Sequence, residues 1–247
     1  MLSAVGSLPF HLAIWIVGVG LLVGLGISQV VERTSAVTSS RRAGAPIDVG
    51  GPVIPADAVG PSDPLLVVVF VPVATLLVFT LLAYSIGAEW WLPAYLVAGS
   101  GMVAVSATDL KCGRIPNRII WPTIVGTTGL LVMASAATGH WRQLGIAVVA
   151  ALVESAFMLL IRQVRHGMGL GDVRLAGLCG LVAGWLPHGP YLALFGLFIG
   201  FVLAAAMAVV KMTARHTGPL TTTLRIGPYL AAGTLIAILW HPALVAA

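Results

Sequence analysis

The sequence predicts an all-α membrane protein, a polytopic bundle of about eight transmembrane helices. Of its 247 residues, 59% are hydrophobic and only 9% are charged, whereas soluble domains carry about 25% charged residues. The mean hydropathy of the whole chain is +1.03. Apolar runs close to the roughly 20 residues that cross a bilayer also recur along the chain. These observations exclude a soluble globular fold.

Eight apolar segments are predicted to cross the membrane. They cover residues 10–31, 65–86, 91–108, 119–138, 144–161, 175–187, 189–210 and 226–246. The first has no basic residue before it and is longer than the apolar part of a signal peptide, so we expect a retained span. The sixth is short, and seven spans with a re-entrant sixth helix are the alternative.

The chain divides into three predicted regions. Residues 1–42 hold the first span and the start of a cytoplasmic loop, residues 43–64 form a flexible linker, and residues 65–247 form a seven-span core. The linker contains five Pro and four Gly among its 22 residues and has no periodic apolar face. This composition is typical of a linker and not of a folded domain.

The basic residues predict the orientation of the bundle. Of the 13 Lys and Arg residues, only Arg142 falls in an even-numbered loop. The others lie in the odd-numbered loops: Arg33, Arg41, Arg42, Lys111, Arg114, Arg118, Arg162, Arg165, Arg174, Lys211, Arg215 and Arg225. The positive-inside rule therefore places the odd loops in the cytoplasm and both termini outside. Because topology explains the positive charge, a nucleic-acid partner is not expected.

Three acidic residues lie at or near membrane depth. Asp109 closes the third predicted span and Asp172 opens the sixth, so both fall at the cytoplasmic boundary. Ionisable residues in such places are candidates for function. Glu154 lies near the middle of the fifth span, and there we expect a buried polar partner and not a catalytic group.

A pair of carboxyl groups can hydrolyse a peptide bond. Two close carboxylates cannot both ionise easily, so one keeps its proton near neutral pH. The ionised group can then take a proton from water while the protonated group polarises the peptide carbonyl. Glycines 167, 169 and 171 would let a substrate strand approach the backbone. For each aspartate alone, a solvated loop acid is the other interpretation.

Three segments together resemble the type IV prepilin peptidase family. They are "DLKCGRIPN" (109–117), "GMGLGDVRLAGLCGLVAGW" (167–185) and "IGPYLAAG" (226–233), in the order of the family's motifs. The resemblance implies a Gly-x-Gly-Asp aspartyl protease architecture with Asp109 and Asp172 as the catalytic residues. Such enzymes remove the short basic leader from type IV prepilins or pseudopilins at the cytoplasmic face of the cell membrane.

The same motifs supply residues expected to bind substrate or shape the site. These are Gly167, Gly169, Gly171, Lys111, Pro116, Asn117 and Arg174. For Pro116 and Asn117 a structural role is the alternative, in which they begin the fourth span with Asn117 as the helix cap.

The chain departs from the family pattern in three places. Arg174 stands where the family usually has Lys, and residues 225–228 lack the first Pro and the Phe of the late motif. Many members carry two Cys-x-x-Cys pairs in the first cytoplasmic loop and also methylate the new N-terminus. This linker has no cysteine, and the chain has only Cys112 and Cys179. We therefore expect no metal and no cofactor, with S-adenosylmethionine required only if methylation is retained.

Two other functional classes remain open. The first is an intramembrane protease resembling presenilin, which also uses Gly-x-Gly-Asp and carries a Pro-Ala-Leu motif. Here residues 242–244 read Pro-Ala-Leu but lie at the outer end of the last predicted span, opposite Asp172. The second is a transporter or scaffold, which Glu154 alone supports at mid-depth. The sequence leaves the oligomeric state and the identity of the prepilin open.

Overall fold

The protein is a bundle of α-helices. A computed structural model describes residue 16 and residues 18–32, 64–112, 115–164, 169–215 and 225–246, and these ranges contain no β-strand. The helices are α1 (Gly18–Glu32), α2 (Pro64–Ile86), α3 (Leu92–Cys112), α4 (Asn117–Thr138), α5 (Trp141–Val164), α6 (Leu170–Trp185), α7 (Gly189–Arg215) and α8 (Gly227–Ala246). The all-α prediction is confirmed.

Several of these helices are suited to a bilayer. Within the described ranges, four are long and apolar enough to cross a membrane, at Val69–Ile86, Asn117–Thr138, Trp141–Val164 and Gly189–Thr213. Helix α6 has 16 residues, which corresponds to about 24 Å and is shorter than a hydrocarbon core of about 30 Å. The chain is therefore an integral membrane protein of the helical class.

The predicted linker at 43–64 lies outside the described residues, except that Pro64 begins α2. A proline at the first position of a helix is favourable, because its missing N–H has no intrahelical partner there.

Helix α6 forms the centre of the bundle. Its residues from Leu178 to Trp185 are all buried, and α5 packs along it. The two helices approach closely at Gly180, where a Cβ atom would lie 2.7 Å from the carbonyl oxygen of Ala150. Only glycine permits this distance, as is usual where helices cross inside a membrane.

Helix α8 packs against α7, α3 and α6. At Gly233 a Cβ atom would lie 2.4 Å from both the oxygen of Gly196 and the nitrogen of Gly200, so α7 and α8 cross backbone against backbone. This crossing fixes the position of α8 and therefore of its first residues, which lie beside the end of α3.

Two hydrogen bonds join helices that are distant in sequence. The hydroxyl of Tyr95 in α3 donates to the oxygen of Val182 in α6 at 2.6 Å. The hydroxyl of Ser85 in α2 donates to the oxygen of Ile238 in α8 at 3.0 Å. Bonds between membrane helices contribute about 0.6 kcal/mol each on average. They hold α3 against α6 and α2 against α8.

Candidate active site

In the structure, Asp109 and Asp172 lie close enough for their charges to interact. Asp109 lies in the last turn of α3 and is 5% exposed, and Asp172 lies half-buried in the first turn of α6. The charge of Asp109 helps to raise the pKa of Asp172. Both carboxyl groups lie beyond the apolar stretches predicted to cross the membrane, at residues 91–108 and 175–187. The sequence predicted that these helix ends share a site.

The start of α6 holds the carboxyl group of Asp172 in place. Gly169 is the N-cap residue, and its oxygen accepts a hydrogen bond from the Asp172 N–H at 3.3 Å. The Asp172 carboxylate in turn receives a backbone hydrogen bond from Gly169, as in a capping box. Burial and then the charge of Asp109 raise the pKa of Asp172 to about 6, against the lowering effect of that hydrogen bond.

Asp109 faces the first residues of α8. A Cβ atom on Gly227 would lie 2.9 Å from Asp109 Oδ2, so a side chain at this position would displace the carboxyl group. Burial raises the pKa of Asp109, while the charge of Arg225 and the backbone of Gly227 act to lower it. Oδ2 is buried and has no hydrogen-bond partner in the part of the chain that the structure describes. Oδ2 is therefore a buried acceptor that no described residue satisfies.

Ile115 lies between two of the site glycines. A Cβ atom on Gly171 would lie 2.5 Å from Ile115 Cβ, and one on Gly227 would lie 3.5 Å from Ile115 Cδ1. The side of Gly171 that a side chain would occupy is therefore filled by Ile115 and does not open to a substrate strand in this structure. At Gly169 the nearest atoms are 3.8 Å away, and Gly167 lies outside the described residues.

Arg174 joins the start of α6 to the start of α4. Its guanidinium group donates a hydrogen bond to Asn117 Oδ1, and its Cζ atom lies 5.5 Å from the centre of the Trp121 ring. The expectation that Asn117 caps α4 is wrong, because Pro116 is the N-cap residue and no side chain caps the helix. The Asn117 side chain instead accepts the hydrogen bond from Arg174.

Two other candidate residues, Lys111 and Glu154, lie in different places relative to the carboxyl pair. Lys111 is half-buried two residues after Asp109, at the end of α3. Glu154 is 2% exposed and lines a separate groove between α5 and α7, where its Oε2 has no hydrogen-bond partner among the described residues. The described ranges contain no group of three or more His, Cys, Asp or Glu side chains placed to hold a metal.

Sequence reasoning assigned no site role to four residues that contact or influence this centre: Ile115, Trp121, Arg225 and Gly227. The segment 225–228 had been recognised as the late motif, and Ile115 belongs to the Ile-Pro-Asn string. The positions of Ile115, Arg225 and Gly227 in these motifs were thus the sequence signal that could have identified them. The contacts with Asp109 and Gly171 depend on tertiary packing.

Comparison with known proteins shows a similarity to one family. Residues 96–209 match the model of the type IV leader peptidase family, a segment that includes both aspartates. This segment, a little under half of the chain, is similar to the type IV leader peptidase family. No solved structure gives a significant match.

Several curated relatives within this family are similar to the chain, and each is named prepilin leader peptidase/N-methyltransferase. The one from Stutzerimonas stutzeri is 30% identical over 165 residues, covering 64% of this chain and 53% of the relative. The one from Pseudomonas aeruginosa is 28% identical over 189 residues, covering 74% and 60%. The one from Aeromonas salmonicida is 28% identical over 178 residues, covering 69% and 57%. The chain thus spans little more than half the length of these type IV leader peptidases.

Proposed function

We propose that the protein is a membrane aspartyl endopeptidase that removes the leader from type IV prepilins or pseudopilins. The observation that carries this proposal is that Asp109, at the end of α3, and Asp172, at the start of α6, interact through their charges. Both lie in the segment that matches the leader peptidase family. The relatives are named for this activity.

The surroundings of the two carboxyl groups support different roles for them. Burial raises the pKa of both carboxyl groups, but at Asp109 the charge of Arg225 and the backbone of Gly227 act against it, so we assign Asp109 as the general base. Burial and the charge of Asp109 favour the protonated form of Asp172, so Asp172 acts as the general acid. Environments that push two pKa values apart are how one carboxyl pair supplies both functions.

Hydrolysis then proceeds by direct attack of water. Asp109 takes one proton from the water molecule as the oxygen bonds to the peptide carbon, and Asp172 gives its proton to the carbonyl oxygen. Collapse of the tetrahedral intermediate breaks the C–N bond, the leaving nitrogen receives the proton held by Asp109, and the proton on the intermediate's oxygen returns to Asp172. No metal, cofactor or covalent enzyme intermediate takes part in the proposed reaction.

The rate of cleavage is expected to depend on pH as the pair titrates. Asp172 must keep its proton, so kcat/KM should fall as the pH rises through about 6, the pKa to which Asp172 is raised. Asp109 must lose its proton, so the rate should also fall in acid, below a pKa that is raised from its ordinary value. The acid and alkaline sides of this pH profile report pKa values of the pair as a whole and not of either aspartate alone. Initial rates measured from about pH 4 to about pH 8 in detergent test this, and a rate that is constant above pH 6 contradicts it.

We place this centre at the cytoplasmic face of the cell membrane, with both termini outside. The support is the distribution of basic residues under the positive-inside rule: Lys111 and Arg174 each lie two residues after one of the aspartates, and the charge of Arg225 acts on Asp109 in the folded bundle. At this depth the enzyme reaches the junction between a polar leader and an apolar helix. Peptide bonds within the helix are protected by their hydrogen bonds and by their depth in the bilayer.

We further propose that the chain cleaves without methylating its product. The predicted cytoplasmic linker contains no cysteine, whereas the methylating members that the chain resembles carry two cysteine pairs in this loop. S-adenosylmethionine is therefore not required for the proposed activity.

Co-expression with a type IV prepilin tests the activity. Removal of a short leader should give a smaller product on a gel, and a strain that lacks the enzyme should show only the precursor. A precursor that stays uncut in the presence of well-expressed, membrane-inserted protein would favour the transporter or scaffold class.

A further inference from the structure

An apolar groove of about 480 Å³ runs between α2, α3 and α8. Phe70 of α2 forms one rim and is 63% exposed, and Leu110 of α3 forms another and is 51% exposed. Met102 of α3 and Ala232 of α8 line the groove between these rims. Because Phe70 and Leu110 are exposed, the groove is open to the surface of the bundle, and the surface around it is apolar.

One end of this groove adjoins the carboxyl pair. Leu110 and Lys111, which line it, directly follow Asp109 in α3. Pro228, which also lines it, directly follows Gly227, where a Cβ atom would lie 2.9 Å from Asp109 Oδ2. This end of the groove therefore lies beside the proposed catalytic centre, and Lys111 is the cationic residue there.

The dimensions and lining of the groove suit a helix. From Met102 to Lys111 it follows α3 over ten residues, a rise of about 14 Å or about two and a half helical turns. Its walls are rich in small side chains, which in membranes allow a second helix to approach closely. These small residues are Ala74, Ser106, Ala107, Ala231 and Ala232.

We propose that this groove, formed by α2, α3 and α8, binds the apolar transmembrane helix of the leader-bearing substrate and presents the bond before that helix to Asp109 and Asp172. The proposal rests on the proposed peptidase function and adds a binding surface to it. A helix that lies in the groove has its polar end beside Lys111, at the level of Asp109. In this way the protein recognises the apolar helix of its substrate in addition to the bond that is cut.

A second groove provides an internal comparison. It has a volume of about 570 Å³, lies between α5 and α7, and is lined by Gly145, Val149 and Glu154 among others. None of its lining residues is adjacent in sequence to Asp109, Asp172 or Gly227. A Cβ atom on Gly145 would meet nothing within 4 Å, so this position accepts a larger side chain.

The test compares two substrates and two matched substitutions. One substrate is the full prepilin in liposomes, and the other is a short soluble peptide that spans the cut site and lacks the helix. Ala232→Trp, which fills the α2/α3/α8 groove, should lower kcat/KM for the full substrate about tenfold through KM and change it less than about twofold for the peptide. Gly145→Trp, which places the same side chain in the other groove, should leave both values unchanged.

Each other outcome has a defined meaning. An equal loss on both substrates in Ala232→Trp, repeated in the milder Ala232→Leu, would show damage to the centre and overturn the groove proposal. An unchanged rate on the full substrate, or an equal loss in Gly145→Trp, would also overturn it. If the wild-type protein cuts neither substrate, the peptidase function itself fails, and the groove proposal fails with it.

Discussion

Asp109→Asn and Asp172→Asn should each abolish cleavage of a leader-bearing substrate. Either substitution preserves the size of the side chain but removes one of the two carboxyl groups of the proposed pair. In the proposed mechanism, Asp109→Asn loses the base that activates water, and Asp172→Asn loses the acid that protonates the carbonyl oxygen. Because the two groups act as one unit, each loss should lower kcat by about 10³-fold or more. Single-turnover cleavage of purified protein in detergent measures this.

Glu154→Gln is the matched control for these variants. It removes a third buried carboxyl group of the bundle, which lies in the groove between α5 and α7 and not beside the pair. We expect it to retain most of the wild-type activity. Wild-type rates in Asp109→Asn or Asp172→Asn, with expression matched to Glu154→Gln, would show that the pair is wrongly assigned.

Gly171→Ala should also cause a large loss of activity, although it adds only a methyl group. That group would lie 2.5 Å from Ile115 Cβ, so either α6 or the segment before α4 must move. Asp172 is the next residue, and its carboxyl group would move with the start of α6. Displacement of a catalytic group by about 1 Å costs about 10²-fold in rate. We expect kcat to fall by about this factor.

Gly129→Ala is the control for that substitution. Gly129 lies within α4, and a Cβ atom there would meet nothing within 4 Å. Alanine is favoured over glycine in a helix by roughly 1 kcal/mol, so this variant should be at least as stable as the wild type and fully active. If Gly171→Ala cleaves as fast as Gly129→Ala, then the contact with Ile115 does not position Asp172.

The helical fold follows from the sequence because a bilayer leaves few choices to the backbone. Every N–H and C=O in hydrocarbon needs an internal partner, so apolar segments near 20 residues become helices. The lengths of the helices were less predictable from the sequence, because α3 continues past its apolar stretch to Cys112. Asp109 therefore lies inside the last turn of a helix, where a negative charge is unfavourable, and not just beyond it.

The centre could be predicted only in part. Asp109 and Asp172 stood out because they are two of only three acidic residues predicted at or near membrane depth, and the predicted topology put them at one face. The neighbours of Asp109 could not be found in this way, since Gly227 reaches it only through the crossing of α8 with α7 at Gly233. The assignment of Asn117 as a cap was wrong because Pro116 is the N-cap residue, and the Asn117 side chain accepts a hydrogen bond from Arg174 of α6, a tertiary contact.

Mass spectrometry of the products released from a full prepilin identifies the bond that the enzyme cuts. The proposed catalytic pair, placed by the proposal at the cytoplasmic face, predicts one cut, between the polar leader and the first residue of the apolar helix. The mature fragment should carry an unmodified amino group. An added methyl group would contradict only the proposal on methylation. A cut within the apolar helix would contradict the assignment of this centre to leader removal and favour an intramembrane protease.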